Sequence, residues 1–185
     1  MNVWFSNLVT EVYHTWRKGK VAFEKIAEDM SNEIGGSGEE CIEYRLGLQE
    51  YYAERSPGSR TPADIYAIKD LGPCIHIVLV SVKSTATEKQ AALLDSEEMS
   101  DAEGFPNFVI NVLNNSKRVP DEIKERKIIV SIGYAGIVFS DFKRHRHPKS
   151  VTAYCIKYEG INISRLDLGF NGKEITGKVF GKLCS

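Results

Sequence analysis

The stretch TPADIYAIKDLGPCIHIVLVSVKST, residues 61–85, has the most informative pattern in this chain. It holds two short apolar runs on either side of the break KDLGPC. Runs rich in β-branched residues around a Gly-Pro break are typical of a β-hairpin. Alternate residues of a strand share one face, so Ser81 and Lys83 should point the same way. Pairing of the two strands would bring Asp64, at the start of the first, near Lys83, at the end of the second.

This arrangement suits the hydrolysis of a phosphodiester bond. The reaction needs a divalent cation to neutralise developing charge, an activated water, and a positive group that holds the water or the phosphate. Asp64 would supply the first oxygen ligand of the metal, the main-chain carbonyl of Val82 the second, and Lys83 the positive group. The competing interpretation is structural: Asp64 caps a Pro-x-Asp turn, and Lys83 ends a strand at the surface.

Two segments of the chain resemble the PD-(D/E)xK nuclease superfamily, and in particular the archaeal Holliday-junction resolvases. One is Pro62-Ala63-Asp64 with Ser81-Val82-Lys83, and the other is RKGKVAFEKIAE, residues 17–28, which is similar to the first helix of the resolvases. With the loop SPGSRTPAD and the segment 87–94, the resemblance covers residues 16–94. It implies a restriction-endonuclease-like α/β fold, in which helices flank a mixed central sheet and a long helix comes first.

The resemblance also implies an activity and its partners. The expected activity is Mg²⁺-dependent endonuclease cleavage of DNA, with Mn²⁺ as a substitute. Branched DNA such as a Holliday junction, an intermediate of recombination, is a candidate substrate. A homodimer is implied, because resolvases place two sites on two strands. Carried over residue by residue, the likeness assigns Glu24 to the metal and Gln90 to the catalytic groups, and it places Ser59 and Arg60 near the scissile phosphate.

Ser81 departs from the family pattern, which has Glu or Asp two residues before the lysine. A neutral hydroxyl is a poor ligand for Mg²⁺, because hard cations prefer charged oxygen donors. Another carboxylate has moved in, with Glu24, Glu28 and Glu43 as candidates, or the site is weakened but active with Ser81 in the place of the acid. A third explanation is a fold that binds DNA without cutting it. A structural or interaction module whose likeness is accidental is the remaining alternative.

Two basic patches are suited to the phosphates of DNA, since Lys and Arg neutralise backbone charge without reading a sequence. The densest is KRHRHPK, residues 143–149, and the second is RKGK, residues 17–20. Their structural alternatives are a solvated turn and a solvated helix end. The predicted DNA-binding residues are Arg17, Lys18, Lys20, Ser59, Arg60, Lys143, Arg144, His145, Arg146 and Lys149.

The rest of the chain predicts further helices and strands. Apolar residues recur at helical spacing over 3–34, with Gly19 as a break and the GGSG of 35–38 as the end. The predicted strands are 41–52, 64–68, 76–83, 108–113, 127–132 and 150–158, and the predicted helices are 87–95 and 121–126. The acidic stretch 96–104 is expected to form a solvated loop and 133–136 a turn.

Length and composition favour one compact nuclease-like domain over residues 1–160, with 161–185 as a peripheral hairpin or tail. The 185 residues are 42% hydrophobic and carry a formal net charge of -1, so any attraction to an anion must be local. The four cysteines form no C-x-x-C pair, and no P-loop, dinucleotide or nucleophile-elbow motif occurs. Polar residues interrupt the apolar runs of the N-terminus. We therefore expect no signal peptide, no membrane partner and an intracellular location: the cytoplasm, or the host-cell cytoplasm for a virus.

Overall fold

The computed structural model describes residues 2–19, 30–58, 61–87, 91–139, 148–158 and 166–168. The helices in these ranges are α1 Val3–Gly19, α2 Met30–Leu48, α3 Ser96–Asn115 and α4 Asp121–Lys124. The strands are β1 Tyr52–Arg55, β2 Ile65–Asp70, β3 Cys74–Thr85, β4 Lys127–Phe139, β5 Pro148–Tyr158 and β6 Leu166–Leu168. They form one sheet in chain order, in which every neighbouring pair is antiparallel except β3 and β4. The predicted α/β class, with a mixed sheet flanked by helices, is confirmed.

The predicted hairpin is confirmed as well, because β2 pairs antiparallel with β3 along its whole length. Gly72 closes the turn with a φ of 81°, a left-handed conformation that glycine adopts without a Cβ clash. Its N–H donates to Asp70 Oδ1 at 2.8 Å. Arg126, just before β4, donates to both carboxylate oxygens of Asp70 at 2.7 Å. The turn is thereby tied to the next strand of the sheet.

The crossover between the parallel strands β3 and β4 contains α3 and α4. Parallel strands finish at the same end of a sheet, and here Lys83 lies opposite Gly136 near both C-termini. β2 and β5 each begin at this end, because each is antiparallel to its neighbour. We call it the Asp64 end of the sheet, since Asp64 directly precedes β2 there.

The sheet has a hydrophobic core on each face. Helices α1 and α3 cover the first face, in a cluster that includes Phe5, Leu8, Ile77, Leu79 and Phe105. Helix α2 covers the second face, in a cluster that includes Ile42, Leu46, Val78, Val80 and Ile137. Odd-numbered residues of β3 therefore face the first core and even-numbered ones the second, as the alternation predicts.

Helix α2 contradicts two predictions. The GGSG of 35–38 does not end a helix, and 41–52 is not a strand, since the helix continues to Leu48. Ile42 and Leu46 are one helical turn apart and both are buried against the sheet, so the helical spacing outweighs the weak alternation. A Cβ at Gly38 would lie 3.1 Å from Ser84 Cβ and 3.4 Å from Ile137 Cδ1. Glycine at this position lets the helix approach the sheet closely.

Replacing Gly38 by alanine is expected to lower the free energy of unfolding by about 1 kcal/mol. Overpacking of a close contact costs about 1–3 kcal/mol, against a gain of about 1 kcal/mol in helix propensity. Gly36→Ala is the matched control, because nothing lies within 4 Å of a Cβ at that position, and it should stabilise the protein. Urea unfolding curves test the pair. An equal increase in the free energy of unfolding of Gly38→Ala and Gly36→Ala would contradict the close packing of α2 on β3.

Helix α3 overturns further predictions. The acidic stretch 96–104 is its first half and 108–113 its second half, whereas 91–95 has no regular structure. The helix forms because Asp95 caps it and because its buried residues recur at helical spacing: Ala102, Phe105, Pro106, Val109, Val112 and Leu113. The predicted turn 133–136 is also wrong, since these residues are buried inside β4 between two neighbouring strands.

Other predictions are confirmed within the described ranges. A short helix begins at Asp121, and β4 and β5 contain the predicted strands. Helix α1 is described as far as Gly19, and the predicted break at that residue stays a prediction because residue 20 lies outside the described ranges. Residues 20–29, which were expected to continue the first helix, lie outside these ranges. Beyond residue 160 the described residues are those of β6, which pairs antiparallel with β5. The predicted division of the chain into 1–160 and 161–185 stays a prediction. No helix of the described ranges is long and apolar enough to cross a membrane.

Candidate active site at the Asp64 end of the sheet

Asp64 lies directly before β2, and β3 holds its carboxylate. The main-chain N–H of Val82 donates to Asp64 Oδ2 at 2.6 Å. The N–H of Asp64 donates to the carbonyl of Val80 at 2.8 Å. Both bonds follow from the hairpin, which brings the start of β2 against the second half of β3. Since a bond to a charged acceptor is stronger than a neutral one, the carboxylate has a fixed orientation.

The main-chain carbonyl of Val82 is directed to the same side as this carboxylate. The N–H and C=O of one strand residue point toward the same neighbouring strand, and the N–H of Val82 points to Asp64. The ladder of β2 begins with Ile65 opposite Val80, so it does not extend to Val82. This geometry fits the prediction that Asp64 and the Val82 carbonyl are neighbouring oxygen donors.

Lys83 forms an ion pair with Glu98, in the first turn of α3. Lys83 Nζ donates to Glu98 Oε1 at 2.6 Å, and both side chains are partly exposed. The N–H of Glu98 donates to Asp95 Oδ1 at 2.8 Å, and the N–H of Asp95 donates to Glu98 Oε2 at 3.0 Å. This reciprocal capping box fixes the carboxylate that Lys83 contacts.

Asp64 lies in surroundings that oppose its negative charge. Burial raises the pKa of its carboxyl, the hydrogen bond from Val82 and the charge of Lys83 offset part of the rise, and the charge of Glu98 adds to it. Glu39 of α2 also has a raised pKa, first because of burial and second because of Asp64. Three carboxyl groups and one ammonium thus share this region. Like charges brought together in this way are stabilised by a cation.

Ser81 occupies the position at which the resembled family has an acid. It shares a face of β3 with Lys83, lies opposite Tyr134 of β4, and is buried. Strand β3 therefore presents no second carboxylate to Asp64. Of the helix acids, Glu98 of α3 raises the pKa of Asp64, and Asp64 in turn raises the pKa of Glu39 of α2.

The described residues before Asp64, 56–58 and 61–63, and the last described turns of α1 flank the site. Tyr13 of α1 packs against Gly58, where an added Cβ would lie 2.9 Å from Cζ of the ring. Arg17 donates to the Tyr13 hydroxyl at 2.8 Å. Arg17 therefore lies near the segment that leads into Asp64, and Lys18 is the next, exposed residue of α1.

The structure places part of the remaining predicted residues. Lys149 is exposed near the start of β5, at the Asp64 end. Glu43, one candidate for the missing acid, forms an ion pair with Arg55 of β1 at 2.9 Å. The others lie outside the described ranges and stay predictions: Lys20, Glu24, Glu28, Ser59, Arg60, Gln90, Lys143, Arg144, His145 and Arg146.

Sequence reasoning missed the two helix carboxylates, Glu98 and Glu39. The acidic composition of 96–104 favours a loop, yet Asp95 and Glu98 have the spacing of a capping box before a helical pattern. That signal was sufficient to place Glu98 in a first helical turn. Glu39 follows the GGSG stretch, and its approach to Asp64 depends on the packing of α2 on the sheet, which no local pattern reveals.

A metal ion at this site would be held by few protein groups. In the part of the chain that the structure describes, no group of three or more His, Cys, Asp or Glu side chains is arranged to hold a metal ion. Mg²⁺ usually keeps several waters and binds through one or two carboxylates together with substrate phosphates. Asp64 and the Val82 carbonyl fit that donor set, with Glu98 and Glu39 adding negative charge nearby.

Comparison with known proteins adds no family assignment. No protein family model matches the chain, and no curated protein shows significant similarity to it. The chain is an α/β protein with a mixed sheet, and Asp64 and Lys83 lie at one end of that sheet. The likeness to nucleases stays an expectation from the sequence.

A second polar cluster is buried on the opposite face of the sheet. A hydrogen bond of 2.8 Å joins His76 Nδ1 to the Tyr51 hydroxyl, and another of 2.8 Å joins His76 Nε2 to the Ser131 hydroxyl. All three side chains are buried. Burial lowers the pKa of His76 from 6.5 to about 4, so the ring is neutral at pH 7. This cluster links β3 to β4 and to the residue that precedes β1.

Proposed function

We propose that this protein binds DNA and hydrolyses its phosphodiester bonds with Mg²⁺, or with Mn²⁺ in its place. The main observation behind the proposal is the pairing of β2 with β3. This pairing brings the Asp64 carboxylate into a hydrogen bond with the N–H of Val82, the residue directly before Lys83. A nuclease of the resembled type needs this juxtaposition. A turn aspartate and an unrelated surface lysine would not need it.

Each group of the site has a role in this proposal. Asp64 and the Val82 carbonyl would hold the metal ion, which when bound neutralises charge and lowers the pKa of a bound water. Lys83 brings positive charge beside Asp64, where it would hold the scissile phosphate or the attacking water. Ser81 adds no charge, so the site depends more on Asp64 than a site with two strand acids would.

Basic side chains lie near this site. Arg17 binds the hydroxyl of Tyr13, which packs against Gly58 in the segment before Asp64, and Lys18 is the next, exposed residue of α1. Lys149 is exposed near the start of β5 at the Asp64 end. Strand β4 ends and β5 begins at this same end. The intervening residues 140–147, which contain most of the densest basic run, lie outside the described ranges. On a chain of net charge -1, such local clustering is what attracts a polyanion. A homodimer acting on branched DNA is the form of the activity that the resemblance implies.

A DNA-binding protein that has lost cleavage is the second candidate. Ser81 favours it, because β3 lacks the second acid of the family pattern. The ion pair between Lys83 and Glu98 also favours it, because the ammonium already has a partner. The basic groups at the Asp64 end would serve either function.

A cleavage assay separates the two candidates. Labelled four-way junction, single-stranded and linear duplex DNA are incubated with the protein in Mg²⁺ and then in Mn²⁺. Cutting that requires the cation supports the nuclease, and the preferred substrate shows whether branches are recognised. Binding without cutting in either metal supports the second candidate. Absence of both binding and cutting at about 50 mM salt, where phosphate contacts are strong, would contradict both.

A further inference from the structure

We infer that Glu98 is a positioning residue, which holds the Lys83 ammonium beside Asp64 from helix α3 in the absence of a second acid on β3. The inference rests on the proposed function and deepens it. It assigns a role to a side chain outside the sequence motif and ties the site to the start of α3.

The first step is the contact itself. Glu98 Oε1 accepts from Lys83 Nζ at 2.6 Å, whereas Glu98 Oε2 accepts from the N–H of Asp95 at 3.0 Å. One oxygen of Glu98 thus takes part in the capping box, and the other binds the lysine. A carboxylate fixed at one oxygen presents the other in a defined place, so Lys83 meets an oriented partner rather than a freely rotating one.

The second step is the anchoring of the segment that leads into α3. The Tyr134 hydroxyl of β4 donates to the carbonyl of Ala92. Gly136 leaves room for the same segment, since a Cβ there would lie 3.2 Å from Ala91 Cβ. Asp95 then caps the helix. A series of contacts therefore leads from the parallel partner of β3, through 91–95, to Glu98 and back to Lys83.

The third step is the need for such a partner. Lys83 has a long side chain with 35% relative exposure, and ordering such a side chain costs conformational entropy. Its neighbour on the same strand face, Ser81, carries no charge to hold it. A misplacement of about 1 Å at a reacting centre costs about 10²-fold in rate. Holding Lys83 in place is therefore worth a measurable factor in catalysis.

The test compares Glu98→Gln with the matched control Glu97→Gln. Glutamine at this helix position still completes a capping box, so Glu98→Gln removes the charge and keeps the cap. Glu97 is an exposed acid in the same first turn, so its variant removes an equal charge from the helix start. Single-turnover cleavage is measured across a Mg²⁺ titration. The rate of acetylation of Lys83 by a trace of acetic anhydride is measured by mass spectrometry without DNA or metal.

Glu98→Gln is expected to slow single-turnover cleavage about 10–100-fold with the same half-saturating Mg²⁺ concentration, and to speed acetylation of Lys83 several-fold. Glu97→Gln should change neither by more than about twofold. A raised Mg²⁺ requirement with unchanged acetylation would make Glu98 a metal ligand and overturn the inference, as would no change at all. If the wild type cuts no DNA, the proposed function fails. The acetylation rate of Lys83 is then the only test of the inference. A rate in Glu98→Gln equal to that of the wild type would show that Glu98 does not position Lys83.

Discussion

Replacing Asp64 by asparagine is expected to slow DNA cleavage by at least about 10³-fold and to leave the fold at least as stable. Loss of the carboxylate removes the charged ligand of the metal, and a metal ion contributes several kcal/mol of charge stabilisation in the transition state. The amide oxygen of asparagine can still accept from the N–H of Val82, which donates to Asp64 at 2.6 Å. The chemistry is lost while the local hydrogen bond remains.

The stability of this variant follows from the sign of the pKa shift. Burial raises the pKa of Asp64 above 3.8, so its contribution to stability is full below pH 3.8 and is lost as the pH rises through the folded value. The ionised carboxyl therefore destabilises the fold at pH 7, and a neutral amide removes that penalty. Thermal unfolding of the variant at pH 7 checks this.

The control for the Asp64 variant is Asp121→Asn, an exposed acid in α4 at the opposite end of the sheet. The Asp121→Asn variant should keep the wild-type rate of DNA cleavage and the wild-type midpoint of thermal unfolding. A variant of Asp64 that cuts DNA at the wild-type rate would end the nuclease proposal. A lowered midpoint in the same variant would show that the carboxylate stabilises the fold and would favour the structural interpretation of Asp64.

His76 is expected to make the protein acid-sensitive, with a loss of about 3 kcal/mol in the free energy of unfolding between pH 7 and pH 4. Its pKa is lowered by burial from 6.5 to about 4, so the unfolded chain binds a proton that the folded state excludes. Stability is therefore full above pH 6.5 and falls as the pH drops toward 4. At 1.36 kcal/mol for each pH unit, that interval gives the stated loss of about 3 kcal/mol.

His76→Phe isolates this effect, because phenylalanine fills the buried position and does not titrate. At pH 7 it should cost about 1–3 kcal/mol, since Tyr51 and Ser131 lose a buried hydrogen-bond partner. Asp64 and Glu39, whose pKa values are raised, act in the opposite direction on acidification. The difference between wild type and variant is therefore the quantity to follow, by urea unfolding at several pH values. If the free energies of unfolding of wild type and variant changed with pH by the same amount over the whole pH range, His76 would not be buried in its neutral form.

The hairpin and the placement of Asp64 and Lys83 could be predicted because their signals are local. Alternation, β-branched residues and a Gly-Pro break fix two adjacent strands, and their antiparallel pairing fixes which residues meet. The Val82 N–H that binds Asp64 follows from that register. The proximity of Asp64 and Lys83 is therefore predicted from 25 consecutive residues, 61–85, whereas the helix acids of the site are not.

The two helices that carry Glu39 and Glu98 could not be predicted in the same way. Glycines over 35–38 and acidic residues over 96–104 are typical of a helix end and of a loop when they are considered alone. Packing overrides both local preferences, because Gly38 allows α2 to lie close to the sheet and Phe105 buries α3 against the sheet. Tertiary burial outweighs local preference in each case.

The α/β class, the hairpin and the shared face of Ser81 and Lys83 follow from sequence patterns, since each depends on the period of a strand or on neighbouring strands. Which acids surround the site depends on tertiary packing. Glu39 and Glu98 lie 25 and 34 residues from Asp64 along the chain. Glu98 raises the pKa of Asp64, and Asp64 raises the pKa of Glu39, because α2 and α3 pack on opposite faces of one sheet. Contacts between residues so far apart depend on how the whole core packs, which no local pattern encodes.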